Sequence, residues 1–272
     1  MRFTKMHGLG NDFIIFDAPA GGPPGAESIR RLADRYTGIG FDQALMLEPP
    51  RRKGSAIYYR IFNADGREVE QCGNGARCIA RYLYEKNGAR SSEFELDSPG
   101  GPIHAKVQGD QVSVAMGVPD FNPASLPFEA SGEAYVYPLV VGDSEVEIGA
   151  VSIGNPHAVI RVPSVDDAPV ARLGPAIENH PRFPKRTNVG FMEVVDRAHI
   201  RLRVHERGTG ETRACGTGAC AAVAVGRRHG LLDAKVKVDL PGGRLHIQWK
   251  GPGEPIWITG PAEKAFEGDT AI

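Results

Sequence analysis

The chain repeats itself, and this repetition limits the folds open to it more than any other feature. Gly10-Asn11-Asp12-Phe13-Ile14-Ile15 returns 144 positions later as Gly154-Asn155-Pro156-His157-Ala158-Val159. Tyr59-Arg60-Ile61-Phe62-Asn63-Ala64-Asp65-Gly66 corresponds to Arg201-Leu202-Arg203-Val204-His205-Glu206-Arg207-Gly208 at 142, and Cys72-Gly73-Asn74-Gly75-Ala76 to Cys215-Gly216-Thr217-Gly218-Ala219 at 143. Between them Asp42-Gln43-Ala44-Leu45 parallels Thr187-Asn188-Val189-Gly190. Motifs that keep their order at nearly constant spacing indicate two similar domains from a duplication. Pro119, Pro123 and Pro127 interrupt any regular pattern between Met116 and Pro127, so the joint belongs there. The expected division is an N-terminal repeat over 1–117 and a C-terminal repeat over 118–261, with the tail 262–272 free to return to the first. At 272 residues, 41% of them hydrophobic, the chain is long enough for both cores.

Each half reads alike. Phe13–Phe16 and Ala158–Val162 are short apolar runs expected as buried strands, whereas Ile57–Phe62 and Ile200–Val204 are expected to alternate with one wet face. Ile29, Leu32, Ala33 and Tyr36 fall at helical spacing, with a partner helix expected near Val170–His180. A second helix follows each Cys-Gly-x-Gly, over Ala76–Lys86 and Ala219–Arg228, each ending at a glycine with cations in its last turn. The run Ala219–Val225 is small and apolar on every face, which requires burial all round. Strands such as Val236–Leu240 and Leu245–Lys250 would have to wrap it. The expectation is an α+β class with two duplicated domains, each a curved, mostly antiparallel sheet around a central helix, and the active site in the cleft between domains.

Lys plus Arg at 32 against Asp plus Glu at 33 leaves no basic excess for nucleic acid, so a small-molecule partner is expected. The longest wholly apolar run is Ala219–Val225, well short of the roughly 20 residues that span a bilayer, and no membrane association is expected. The segment Met1–Gly8 shows no apolar signal core, so the cytoplasm is the expected compartment.

Four cysteines are too few for a disulfide scaffold. Cys72 and Cys215 each open a helix before Gly-x-Gly, where free backbone N–H groups are expected to lower a thiol's pKa and to receive a carboxylate. Taken singly, either cysteine could be mere packing. Their duplicated context favours function. Cys78 and Cys220 lie inside the helices on other faces and are expected to pack, and the same geometry argues against a metal site. Gly216-x-Gly218-x-x-Ala221 formally fits a dinucleotide fingerprint, but a polar segment separates it from the preceding strand.

Lys5–Phe13, Asn63–Gly66, Glu70–Cys78, Gly154–His157, Arg186–Val189, Glu206–Gly208 and Ala214–Ala219 together resemble the diaminopimelate epimerase family over almost the whole chain. Cys-Gly-Asn-Gly-x-Arg discriminates: proline racemases typically carry His where Asn74 stands, and isomerases of the phenazine type lack the cysteine pair. The resemblance implies a cofactor-free isomerase that interconverts LL- and meso-diaminopimelate for lysine and peptidoglycan, with Cys72 and Cys215 as paired acid/base groups. It makes Cys215 the acceptor and Cys72 the donor from LL to meso. It further implies carboxylate contacts from Gly73, Asn74, Gly216 and Thr217. Asn11, Gln43, Asn63, Asn155, Asn188, Glu206 and Arg207 would hold the amino groups and distal carboxylate, and the assembly would be a homodimer. Glu206 and His157 are expected to support the thiols, although His157 also reads as a satisfied structural histidine. A proline-racemase-like enzyme, a thiol–disulfide redox protein and a non-catalytic amino-acid binder are the competing readings.

Overall fold

A computed structural model describes residues 1–19, 21–69 and 73–271. Glu70, Gln71 and Cys72 lie outside the described residues. The chain divides into two compact units, 1–115 with 259–272, and 116–258.

In unit 1 the sheet is built from β1 (Arg2–Gly8), β2 (Asn11–Asp17), β3 (Gln43–Glu48), β4 (Ile57–Asn63), β5 (Glu68–Val69), β6 (Glu93–Ser98), β7 (Gly101–Gln108) and β8 (Gln111–Ala115). Neighbours pair antiparallel except at two places: β2 runs parallel to β3, and β4 parallel to β6. A parallel step needs a crossover. The helix α1 (Ala26–Ala33) supplies the first and α2 (Gly73–Lys86) the second.

Unit 2 repeats the plan with β9 (Tyr137–Val141), β10 (Ser144–Ser152), β11 (Pro156–Arg161), β12 (Asn188–Asp196), β13 (His199–Glu206), β14 (Gly210–Thr212), β15 (Lys235–Leu240) and β16 (Gly243–Gln248). Its parallel steps, β11 to β12 and β13 to β15, are spanned by α3 (Val170–Glu178) and α4 (Gly216–Arg228). After β17 (Trp257–Pro261) the chain ends in β18 (Glu263–Asp269), which pairs antiparallel with β1. It thereby stands to β1 as β9 stands to β10.

The central helices explain the curvature. Strands far apart in each sheet touch the same helix: β1 and β8 touch α2, and β10 and β16 touch α4. From Gly218 to Gly226 every residue of α4 is buried, as its small apolar sequence demands. The outer face of each sheet is covered by the other helix, with Ile29 and Leu32 of α1 packing on Ile14, Phe16 and Met46, and Leu173 and Ile177 of α3 on Ala158, Ile160 and Phe191.

Three local expectations need correction. Tyr36 lies beyond the end of α1 and is 98% exposed, because Asp34 stops the helix in an extended conformation and accepts the Tyr36 and Thr37 N–H groups in a turn. β13 alternates as expected, but β4 buries Tyr58, Tyr59, Ile61 and Phe62 together, since Phe62 adds to the cluster under α1. Both helices after Cys-Gly-x-Gly begin three residues early, so the glycines form the first turn. Close packing is the reason. A β-carbon on Gly75 would lie 3.1 Å from Leu45 Cδ2, and one on Gly218 3.0 Å from Val204 Cγ2.

Candidate active site

In unit 1 the expected residues gather where β2, β3 and β4 meet the start of α2. Asn74, 4% exposed in the first turn of α2, donates its amide to Asn11 Oδ1 at 3.0 Å. Asn11 in turn donates to Asp42 Oδ2 at 2.9 Å. Gln43 Nε2 donates to Asn63 Oδ1 at 2.8 Å, across a register that pairs the two residues directly. Asp12 anchors the loop: Lys5 Nζ lies 2.7 Å away and Arg35 grips both its oxygens. Burial alone would raise the Asp12 carboxyl, but the hydrogen bonds and charges of Arg35 and Lys5 outweigh it and bring the pKa to about 2. Asp42, Asp12 and Arg35 were missed in the sequence, although Asp42 stands beside Gln43 in the repeat. Gly73 opens α2 and is buried. Cys72 precedes it, outside the described residues.

In unit 2 a continuous chain of contacts ends on a thiol. His157 Nε2 donates to Asn155 Oδ1 at 2.9 Å, and Asn155 Nδ2 reaches Thr217 Oγ1 at 3.4 Å. Thr217 Oγ1 lies 3.6 Å from Cys215 Sγ. Cys215, the residue capping α4, donates to Glu206 Oε2 at 3.1 Å, while Glu206 Oε1 accepts from Thr212 at 2.5 Å. Gly216 is buried behind it as the first residue of α4. Asn188 is held at both ends, donating to the Pro156 carbonyl at 2.9 Å and accepting the Arg207 N–H at 3.0 Å. The Arg207 guanidinium rests on the Lys185 carbonyl at 3.2 Å. Thr212 carried no signal in the sequence, because a threonine in a short edge strand is ordinary.

The thiol's electrostatics reverse the expectation. Burial pushes the Cys215 thiol well above its usual value, and the charge and hydrogen bond of Glu206 push it further. Thr217 and the Gly218 N–H pull the other way but do not prevail. A helix N-terminus offers only partial charge, whereas desolvation and an adjacent carboxylate act on the full charge of a thiolate. Cys215 is therefore a neutral thiol in hydrogen-bond contact with the Glu206 side chain. His157 is 1% exposed, and burial, helped by the charge of Arg207, lowers its pKa to about 3. It is a neutral imidazole at pH 7.

The register also refines the repeat. Gln43 pairs with Asn63, and continuing the β12–β13 register by one residue sets Asn188 opposite Glu206. Asn63 thus corresponds to Glu206, 143 positions on, not to His205. The spacing then equals that of the two cysteines.

The family profile described as Diaminopimelate epimerase matches residues 3–122 and 149–265. A diaminopimelate epimerase of Stutzerimonas stutzeri is 53% identical, covering 100% of this chain and 99% of its own length. One of Nitrosomonas europaea is 56% identical, covering 98% of each. The chain belongs to the diaminopimelate epimerase family. In fold alone it is also similar to a hydroxyproline epimerase of Agrobacterium vitis, at 16% identity and a TM-score of 0.72, covering 98% of this chain and 91% of that one. The α+β class with duplicated halves is thus that of an established group of two-domain folds.

Proposed function

We propose that this member of the diaminopimelate epimerase family interconverts LL- and meso-2,6-diaminopimelate for lysine and peptidoglycan precursor synthesis. It acts as an isomerase that needs no pyridoxal phosphate and uses Cys72 and Cys215 as its two acid/base groups. The observation that carries the reading is the buried Cys215 thiol donating to Glu206 at the start of α4.

Inverting an amino-acid α-carbon requires removal of a weakly acidic C–H proton on one face and delivery of another on the opposite face. Toward the LL isomer Cys215 is the donor: its S–H bond breaks, the new C–H bond forms, and a thiolate remains. From LL to meso it must first become a base. Glu206 takes its proton at 3.1 Å, turning carboxylate into carboxylic acid, and the thiolate then accepts the α-hydrogen. Cys72 performs the complementary half of each turnover.

Charge developing on the substrate's α-carboxylate falls to the N–H groups of Gly73, Asn74, Gly216 and Thr217. A preorganised helix end is worth most in a dry site. Asn11, Gln43, Asn63, Asn155, Asn188, Glu206 and Arg207 hold the amino groups and the distal carboxylate. The neutral His157 holds the Asn155 amide. No helix among the described residues is long and apolar enough to cross a membrane. We read the working form as a cytoplasmic homodimer.

The test is to incubate purified protein without added cofactor with LL-diaminopimelate, resolving the stereoisomers by chiral chromatography and using proline as a control substrate. Formation of meso isomer is expected, with none of the control inverted. Failure to exchange the α-proton of diaminopimelate would overturn the reading.

A further inference from the structure

The end of β13 and the turn that follows carry Glu206 and Arg207, and a buried carboxylate grips this segment from either side. Glu178 is the last residue of α3 and is 5% exposed. Its Oε1 accepts the Gly208 N–H at 2.8 Å and meets Arg186 at 3.2 Å, while its Oε2 meets His205 Nε2 at 2.8 Å. His205 immediately precedes Glu206, and Gly208 follows two residues later. The Glu178 carbonyl also accepts the Thr187 N–H at 3.3 Å, next to Asn188.

A carboxylate at a helix C-terminus faces the negative end of the dipole, so helix stability does not account for it. The fit around it is close. A β-carbon on Gly174 of α3 would lie 2.6 Å from the His205 ring. Gly208 and Arg186, two of the gripped residues, both occupy the left-handed region, at φ +76° and +60°. For arginine this backbone is strained and persists only where its surroundings impose it. The corresponding turn in unit 1 is held differently, with Gly66 against Ala26 and Arg30 donating to the Asp65 carbonyl at 3.1 Å. That turn presents Asn63, which has no charge to aim.

We propose that Glu178 is a positioning residue: by holding His205, Gly208 and Arg186 together it fixes the turn so that Glu206 stays in contact with the Cys215 thiol. The proposal rests on the reading of Cys215 and Glu206 as an acid/base pair. Without the grip, a loop containing Gly208 and Gly210 lets the Glu206 carboxylate swing toward water, and Cys215 loses its proton acceptor.

The experiment follows the alkylation of Cys215 by iodoacetamide against pH, read on the Cys215 peptide by mass spectrometry, with no substrate present. Wild type is compared with Glu178→Ala, Glu178→Gln, Glu206→Gln and the double variant E178A/E206Q. Removing or displacing a neighbouring carboxylate favours the thiolate, so E178A and E206Q should each move the midpoint down by about one pH unit. The double variant should move no further than E206Q alone. An E178A protein that melts earlier but keeps the wild-type Cys215 profile would reduce Glu178 to a structural role, as would full additivity with E206Q. If circular dichroism shows E178A unfolded, E178Q decides, since it keeps the size and one acceptor: a smaller downward shift supports the proposal and an unchanged profile overturns it. Failure of the epimerase reading shows separately, as wild-type protein that leaves the α-proton of diaminopimelate in place.

Discussion

A sulfur at the head of a helix invites the assumption that it is a thiolate, and Cys215 illustrates when that assumption fails. Its place at the start of α4 was legible in the sequence, but its protonation was not, because the deciding carboxylate lies nine residues away and arrives by strand pairing. Replacing Cys215 or Cys72 by Ala should each cut epimerisation by at least 10³-fold, measured by stereoisomer analysis. Losing the small Cys215 thiol should leave thermal unfolding little changed. His157 gives a pH signature. Its folded pKa of about 3 lies below the unfolded value of about 6.5, so the unfolded chain binds a proton that the folded chain refuses. This histidine's contribution is complete above pH 6.5 and is lost as pH falls toward 3, at up to about 1.4 kcal/mol per pH unit. Urea titrations between pH 7 and 5 should show that slope in the wild type and a flatter one in His157→Asn.

Among the elements, α4 was readable because no other structure buries seven consecutive small apolar residues so economically. The start of each Gly-x-Gly helix was not, since glycine ordinarily signals a loop, and here it signals contact. The same closeness extends to β10, where a β-carbon on Gly149 would stand 2.4 Å from Val225 Cγ1 of α4. A branched valine cannot turn out of the way cheaply. Gly149→Ala should therefore destabilise unit 2 by about 1–3 kcal/mol in denaturant unfolding. Adding Val225→Ala should recover part of that loss, and simple additivity of the two would show that the contact is not the cause.

For the molecule as a whole, the duplication was the most legible property, since three motifs at similar spacing already implied a shared topology. What spacing could not supply was the register, which moved the partner of Asn63 from His205 to Glu206. That correction makes the two halves chemically unequal: one turn offers an amide, the other a carboxylate beside a thiol. A two-base enzyme labels accordingly. With LL-diaminopimelate in heavy water, sampled early, the product should carry deuterium at the inverted carbon while remaining substrate stays mostly unlabelled. Early product that keeps its original hydrogen would point to a single base serving both faces.

The pairing of β18 with β1 has a bearing on biosynthesis. Unit 2 is one unbroken stretch, whereas the sheet of unit 1 takes its edge strand from the last residues of the chain, and the Met1 ammonium donates to the Thr270 carbonyl at 2.6 Å. The half that leaves the ribosome first is therefore the half that finishes last. Until Glu263–Asp269 has been made, β1 presents an open edge of the kind that invites pairing with other chains. Translation that stalls short of those residues leaves a complete second half tethered to a first half with that edge uncovered.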